Sequence, residues 1–530
     1  MEKKVTRITG KMKKIIFLTL IFFSITSCYK GIKVDMIVHN ALIHSLDNSD
    51  ATFQAMAIKD GKIIEMGAER QILNRYRSDN EIDAFGKNIY PAFTDAHTHL
   101  LLLAQERLSA NLKEVQSVEQ TLVVLEKYQS RNNAKFIIGR GLQLENTEQK
   151  MALANALSHS FKDIPVFIIT RDAHTAILNQ KAKEYLKIDE NILSEDLFFE
   201  LYERFPQFSK AKITAQLFEI QDELLQYGIV AVHEMGWSNA DYKFFSELVK
   251  NKKWVIDISA YLLPSEENKA LLKNGITRKD KLQLRGFKLF IDGTFGSQTA
   301  SISTEYKNGE NGKINYSQTD LDSVLTYAYD RDLQVAMHCV GDKSAEFVLN
   351  RIQTLGMNIN NLNWRIEHLQ KVNPTVLKLI SELHIIPSVQ PYHAVSDVNW
   401  LGNVLSLDNS FYAYKSLYNT NLMLAIGSDM PVETFSPFEI LYAATARKEV
   451  QNANFKGFNT KESLTLDEVL RGYTTFNSFL VETSYLYGSL DKNGFATFFI
   501  ANTPITTDIN SAYNYAIKTF IKSKEVYSVE

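Results

Sequence analysis

Short apolar runs alternate with turn signals from Val34 to about Phe85, as in Met36-Ile37-Val38-His39-Asn40-Ala41-Leu42-Ile43-His44 and Ala55-Met56-Ala57-Ile58-Lys59-Asp60-Gly61-Lys62-Ile63-Ile64. This pattern predicts short antiparallel strands, with Asp60-Gly61 as a hairpin turn. A similar patch returns near the end, where Gly488-Ser489-Leu490 leads through Lys492-Asn493-Gly494 into Ala496-Thr497-Phe498-Phe499-Ile500. Two β-rich ends, residues 28–88 and 484–530, predict one small β-sandwich domain built from both ends of the chain.

Between them, β-rich runs alternate with helical patterns, which argues for parallel strands joined by crossover helices. The expected architecture over residues 89–483 is an α/β (β/α)8 TIM-like barrel. Its strands fall near Ile89-Ala96, Ile229-His233, Val255-Tyr261, Phe287-Ile291, Leu333-His338, Trp364-His368, Ile385-Gln390 and Leu422-Ser428. The interval at about residues 100–227 is too long for one crossover. It also holds the strand-like runs Phe136-Ile138 and Val166-Ile169, so it is expected to be an insertion covering the barrel mouth.

The N-terminus follows a different pattern. Lys13-Lys14 precede an apolar run from Ile15 to Ile25, which meets Ile25-Thr26-Ser27-Cys28. A basic start, a short apolar run and small residues before a cleavage point make a secretory signal, and Cys28 gives it the form of a bacterial lipoprotein lipobox. Residues 1–27 are therefore expected to be a signal peptide, with Cys28 carrying the lipid anchor. The body would then sit in the cell envelope, outside the cytoplasm. Cleavage there leaves Cys339 as the other cysteine, which excludes an intramolecular disulfide framework.

The 530 residues are 45% hydrophobic and 22% charged, enough for a large core. A formal net charge of -3 with scattered lysines gives no basic field for nucleic acid. The expected partner is a small-molecule substrate.

The candidate chemistry lies at the carboxyl ends of the expected strands, where barrel active sites form. Asp95-Ala96-His97-Thr98-His99 ends the first strand, and alternation there puts His97 and His99 on one face. Two imidazoles spaced this way make one side of a zinc or related metal site. Alone, such a pair is a weak signal. Val335-Ala336-Met337-His338 and Arg365-Ile366-Glu367-His368 then end two later strands in histidine, and Gly427-Ser428-Asp429 ends the eighth in an acid. Any one of these reads most simply as a packed core or loop residue. Together they converge on a site.

The stretch Gly86-Lys87-Asn88-Ile89-Tyr90-Pro91-Ala92-Phe93-Thr94-Asp95-Ala96-His97-Thr98-His99 resembles the first-strand signature of amidohydrolases. The resemblance continues through Phe287-Lys288-Leu289-Phe290-Ile291-Asp292-Gly293-Thr294, His338-Cys339-Val340-Gly341-Asp342, Arg365-Ile366-Glu367-His368 and Gly427-Ser428-Asp429-Met430-Pro431-Val432. It spans nearly the whole mature chain and is similar to the branch typified by N-substituted formamide deformylase. It implies one or two divalent metal ions, zinc above all, held by His97, His99, His338, His368 and Asp429, with Asp429 also the general base. It implies further that Lys288 can become a carbamate.

The residues bear on this locally. Gly286, Lys288, Phe290 and Asp292 share one strand face, which aims Lys288 inward. An ammonium cannot ligate a cation, whereas a carboxylated lysine offers anionic oxygens. The alternative is a barrel-interior salt bridge from Lys288 to Asp292.

His174, in Arg171-Asp172-Ala173-His174-Thr175, fits the branch as a polarising or substrate-contacting residue, with a solvated loop histidine as the alternative. Gln390-Pro391-Tyr392-His393 and Asp397 follow the seventh strand as pocket-rim candidates, and alternation turns Cys339 away into the core. Two departures from the branch stand out. Gly139-Arg140-Gly141-Leu142-Gln143 lacks its Trp-Asp pair, and Thr497 stands where relatives often carry Asp.

The implied reaction is hydrolysis of an amide or N-substituted formamide-like C–N bond by metal-activated water. A cyclic amidase, a deaminase and a non-catalytic tethered ligand-binding lipoprotein are the alternatives.

Overall fold

The computed structural model describes residues 31–529 except 48–50, 145, 172–174, 203, 453–455 and 485. The signal peptide, Cys28 and His174 lie outside the described residues. Among the described residues, no helix is long and apolar enough to cross a membrane.

Eight parallel strands form the barrel wall: β1 (Phe93–Thr98), β2 (Ile229–Trp237), β3 (Asp257–Leu262), β4 (Leu282–Phe290), β5 (Gln334–Cys339), β6 (Arg365–His368), β7 (Ile386–Val389) and β8 (Ala425–Ile426). They pair in sequence order from β1 to β8. Their near-continuous apolar runs suit a parallel sheet covered by helices. Leu289, Val335, Met337, Ile366 and Val389 lie in one buried cluster with helix residues such as Leu325, Val348 and Val376.

Several of these helices begin at polar caps that the sequence supplies. Ser238 and Asp241 form a reciprocal capping box before Asn239–Leu248, and Asn373 caps Pro374–Glu382 with proline in its first turn. Each cap satisfies backbone N–H groups that the first helical turn leaves without partners.

The seam between β8 and β1 closes at its carboxyl end. The Asp429 amide donates to the His97 carbonyl at 2.8 Å, and the His99 amide donates to the Met430 carbonyl at 3.0 Å. Lower down, Asn477 Nδ2 donates to the carbonyls of both Thr94 and Ile426. This side chain stitches β1 to β8 where the ladder is short. Gly427 is required at the seam, because a Cβ there would stand 2.5 Å from the His97 nitrogen.

The first barrel strand starts later than the apolar pattern predicts. Glu81–Pro91 belongs instead to the small sheet, where it lies between Phe498–Ala501 and Met36–His44. The chain crosses to the barrel at Ala92, whose amide donates to the Thr497 carbonyl.

The small sheet has eight strands contributed by both chain ends. It folds back on itself in the manner of a sandwich, for Lys62 bridges Phe495 and the Ala496 amide donates to Gly61. Val38, Ile58, Phe498 and Phe520 pack inside it. Asp60 and Gly61 both have positive φ, the backbone of a two-residue hairpin turn. Thr497 is buried, and its hydroxyl accepts from the Lys522 amide, so it acts at the junction of this sheet.

The segment between β1 and β2 carries its own five-stranded sheet, in the order Ile192–Ser194, Thr175–Leu178, Val166–Thr170, Ile137–Leu142 and Ala110–Asn111. Two of these strands fall on the runs expected from sequence, one of them from Ile137 rather than Phe136, and the other three are short. Lys113, just past Ala110–Asn111, donates to the Pro431 carbonyl beyond β8, which ties the insertion to the barrel's carboxyl end.

Candidate metal centre

His97 lies in β1, His99 just after it, Lys288 in β4, His338 in β5 and His368 at the end of β6, while His393 and Asp429 follow β7 and β8. All are buried except His99, whose side chain is about a fifth exposed. The five ligand positions expected from sequence are thus brought together with Lys288. The His368 ring lies between those of His97 and His338, tilted to the first with centroids 4.9 Å apart and edge-on to the second at 4.4 Å.

Strand alternation alone would fail to place His368, because Arg365 and Glu367 already point into the barrel. The backbone at His368 is left-handed, φ 75°, and this turns its ring back to the site. Asp429 is likewise left-handed, φ 62°. Non-glycine residues held in this region cluster at functional sites.

Asp429 divides its two oxygens. Oδ1 is 3.2 Å from His99 Nε2 and 3.6 Å from His97 Nε2, while Oδ2 is 3.4 Å from His393 Nε2. Two groups of donors capable of holding a cation share this carboxylate: His97, His99 and Asp429, and His368, His393 and Asp429. Within each group the ligand atoms lie within 4.8 Å of one another. His338 stands beside them, with Nε2 3.2 Å from the Gly293 carbonyl.

The protonation states of His97, His338 and His368 suit a cation, whereas burial of His393 is outweighed by Asp429 and Glu433, which hold it well above its ordinary value. Burial and the Lys288 charge push His97 down to about 4 and His338 to about 3. Burial and neighbouring imidazoles also hold His368 well below its usual range. Neutral imidazoles offer lone pairs. Burial opposes charge on Asp429, but His97, His393 and His99 outweigh it and keep the carboxylate ionised. Imidazole nitrogens with an anionic oxygen are the donor set of zinc and its neighbours, so the residues present fit a divalent metal ion.

Beneath the donors lies a layer that sequence reading did not assign. Arg365 is fully buried and donates to Glu367, to Ser388 Oγ at 3.0 Å, to His233 Nδ1 at 3.1 Å and to the Ala96 carbonyl at 2.5 Å. It therefore spans β6, β7, β2 and β1. Glu367 lies 2.7 Å from His97 Nδ1. Burial raises the cost of its charge, but Arg365 and His97 overcome it and hold Glu367 well below the carboxylate range. The signal for this layer was present in Arg365-Ile366-Glu367-His368, as a cation and an acid on one strand face.

Lys288 has no side-chain exposure, and burial brings its ammonium down to about 8. Two residues earlier on the same strand, Gly286 lets β5 approach closely, for a Cβ there would fall 1.8 Å from the Gln334 carbonyl oxygen. Nζ of Lys288 is 3.4 Å from His97 Nε2. Among the described residues Lys288 makes no ion pair with Asp292. That acid instead accepts from the amides of Ser301, Val340 and Gly341 and from Ser344 Oγ. Glu234 is similarly engaged by Thr98, Leu100 and Trp237. Both are structural acceptors, which leaves Asp429 as the carboxylate shared by the donor groups.

The pocket-rim candidates are more than rim. His393 is buried, with Nδ1 3.4 Å from Glu433 Oε1 and 4.0 Å from Asp397 Oδ2. Gln390 Nε2 stands 3.4 Å from His97 Nδ1. Cys339 is a free, buried thiol in the main core, as alternation predicts.

A nearly closed barrel of eight parallel strands with imidazoles and a carboxylate at its carboxyl end has the form of a metal-dependent hydrolase. The chain belongs to the amidohydrolase family, whose sequence model matches residues 80–496. It is similar to Protein LONG AFTER FAR-RED 3 of Arabidopsis thaliana, 26% identical over 94% of this chain and 92% of that protein. It is also similar to N-substituted formamide deformylase of Arthrobacter pascens, 21% identical over 83% of this chain and 88% of that one. The fold matches the crystal structure of an uncharacterized metal-dependent hydrolase from Pyrococcus horikoshii. That likeness has a TM-score of 0.75 and 23% identity, and covers 90% of this chain and 99% of the other.

Proposed function

We propose that this protein hydrolyses a non-peptide C–N bond, in a linear amide or N-substituted formamide, with zinc as its cation. The placement of Asp429 carries this reading, because its Oδ1 lies beside His97 and His99 while Oδ2 remains on the other side, toward His393, so that one carboxylate can both hold a cation and take a proton beside it. The deformylase relative supports the choice of bond.

When bound by His97, His99, His338, His368 and Asp429, the cation supplies Lewis acidity toward the carbonyl oxygen and lowers the pKa of water. Asp429 accepts a proton from the attacking water and delivers it to the leaving nitrogen, so one carboxylate serves both half-steps. Glu367 fixes the His97 ring through Nδ1, leaving Nε2 for the metal. Lys288, carboxylated on Nζ, becomes an anionic oxygen ligand; its depressed pKa favours the free amine that carboxylation needs.

The family resemblance assigns His174 a polarising or substrate-contacting role. The mature body is tethered to a bacterial membrane through lipidated Cys28, and labelled fatty acid incorporated by wild type but not by Cys28→Ser tests that anchor. The catalytic reading is tested by screening N-formyl and N-acyl amines against metal-loaded protein. Release of amine by wild type and its loss in Asp429→Asn are expected; no turnover across both classes would contradict it.

A further inference from the structure

Among the described residues of the eight barrel strands, Phe290 is the one large apolar side chain left exposed, at 41%. It ends β4 two residues beyond Lys288, and so shares that residue's inward face. It is paired in register with His338 on β5. Its ring centroid lies 5.5 Å from the His338 ring and 5.2 Å from Lys288 Nζ. The ring therefore borders the metal centre while remaining accessible to water.

A glycine on β2, one strand removed from β4, stands against the ring. Gly236 on β2 has no side chain, and a Cβ there would touch the Phe290 ring at 3.6 Å and Leu263 at 3.9 Å. The opposite wall is polar: His393, Asp397 and Glu433 gather beyond β7 and β8. A single exposed apolar residue on an outer surface needs no explanation. Here the ring instead forms one wall of a site whose other wall is charged, and a polar residue in its place would avoid leaving apolar surface in water.

We infer that Phe290 is a specificity-determining residue, the platform for a flat apolar group carried by the substrate next to its scissile carbonyl. This rests on the metal-centre reading and narrows it to amides bearing an aryl or comparably apolar substituent. Covering the exposed ring removes apolar area from water on both partners, and offset stacking adds to the gain.

Hydroxamates, which chelate a divalent cation without being turned over, separate the two readings. Binding of acetohydroxamate is compared by calorimetry with phenylacetohydroxamate and with N-benzyl acetohydroxamate on zinc-loaded protein. The two aryl probes place the ring on the acyl and amine sides. Wild type should bind at least one aryl probe about tenfold or more tighter than acetohydroxamate. That ratio should fall close to one in Phe290→Ala and lie between in Phe290→Leu, which retains bulk and guards against a folding defect. An aryl-to-methyl ratio equal in wild type and Phe290→Ala, with acetohydroxamate bound, overturns this inference alone. If no hydroxamate binds wild type, the metal-centre reading falls and this inference with it.

Discussion

His97 Nδ1 lies 2.7 Å from Glu367 Oε2, and both groups are fully buried. Glu367 is held in turn by Arg365, so the ring that faces the metal seat is fixed from behind by an acid whose own charge is compensated. Glu367→Gln should weaken metal affinity by about 10–100-fold, the usual effect of losing a partner behind a ligand. It also leaves Arg365 uncompensated, at a cost of about 3–5 kcal/mol in stability. Metal titration and denaturant unfolding of the variant check both. Wild-type affinity with unchanged stability would remove Glu367 from the account.

Asp429 is placed as the base because Asp292 and Glu234, the next acids at the barrel mouth, are each held by several hydrogen bonds from the surrounding chain. Asp429→Asn should lower turnover by at least about 10²-fold, since an amide cannot accept the water's proton. Circular dichroism and metal analysis should show the fold and at least one metal retained. Near-normal turnover in metal-loaded Asp429→Asn would assign the base elsewhere.

The donor imidazoles make the metal-free protein sensitive to acid. His97 and His338 ionise at about 4 and about 3 in the folded chain, against 6.5 ordinarily. Between those limits the unfolded chain binds a proton on each that the folded chain does not. The contribution of these two groups to the unfolding free energy therefore falls as pH drops from 6.5 toward 4, by about 1.4 kcal/mol per pH unit for each, against an opposite contribution from Asp95 and Asp292, which burial raises to about 7. Denaturant unfolding of chelator-treated protein across this range measures the slope, and His338→Gln should remove that residue's share from it. An identical slope in that variant would mean that His338 is not held neutral.

Lys288 separates a ligand from a structural cation most sharply. As a carbamate ligand, its loss in Lys288→Ala should reduce the metal content and nearly abolish activity, and short carboxylic acids should partly restore both. The competing ion pair with Asp292 is not formed among the described residues, and its removal would predict an unchanged metal content. Metal content and activity of Lys288→Ala, with and without added formate or acetate, decide between them.

Much of this was legible because buried parallel strands read as apolar runs, and because alternation aligns His97 with His99. The start of β1 differs because Ile89-Tyr90-Pro91-Ala92-Phe93 runs apolar straight across the boundary between Glu81–Pro91 and Phe93–Thr98, which only the contact from Ala92 to Thr497 marks. Ala110–Asn111, Thr175–Leu178 and Ile192–Ser194 were missed as strands because so few residues carry no readable period. The orientation of His368 depends on a backbone angle that no side-chain pattern encodes. Spacing made Asp292 look like a partner for Lys288, whereas the amides that occupy it come from chain segments folded around it.

The most direct test of the central claim is elemental analysis of gently purified protein, followed by activity after chelation and metal return. A divalent transition metal, zinc foremost, should be present at about one equivalent or more, and activity should vanish with chelation and return with the metal. Less than about a tenth of an equivalent, with no activity restored by added metal, would contradict a metal-dependent hydrolase whose donors must be filled to work.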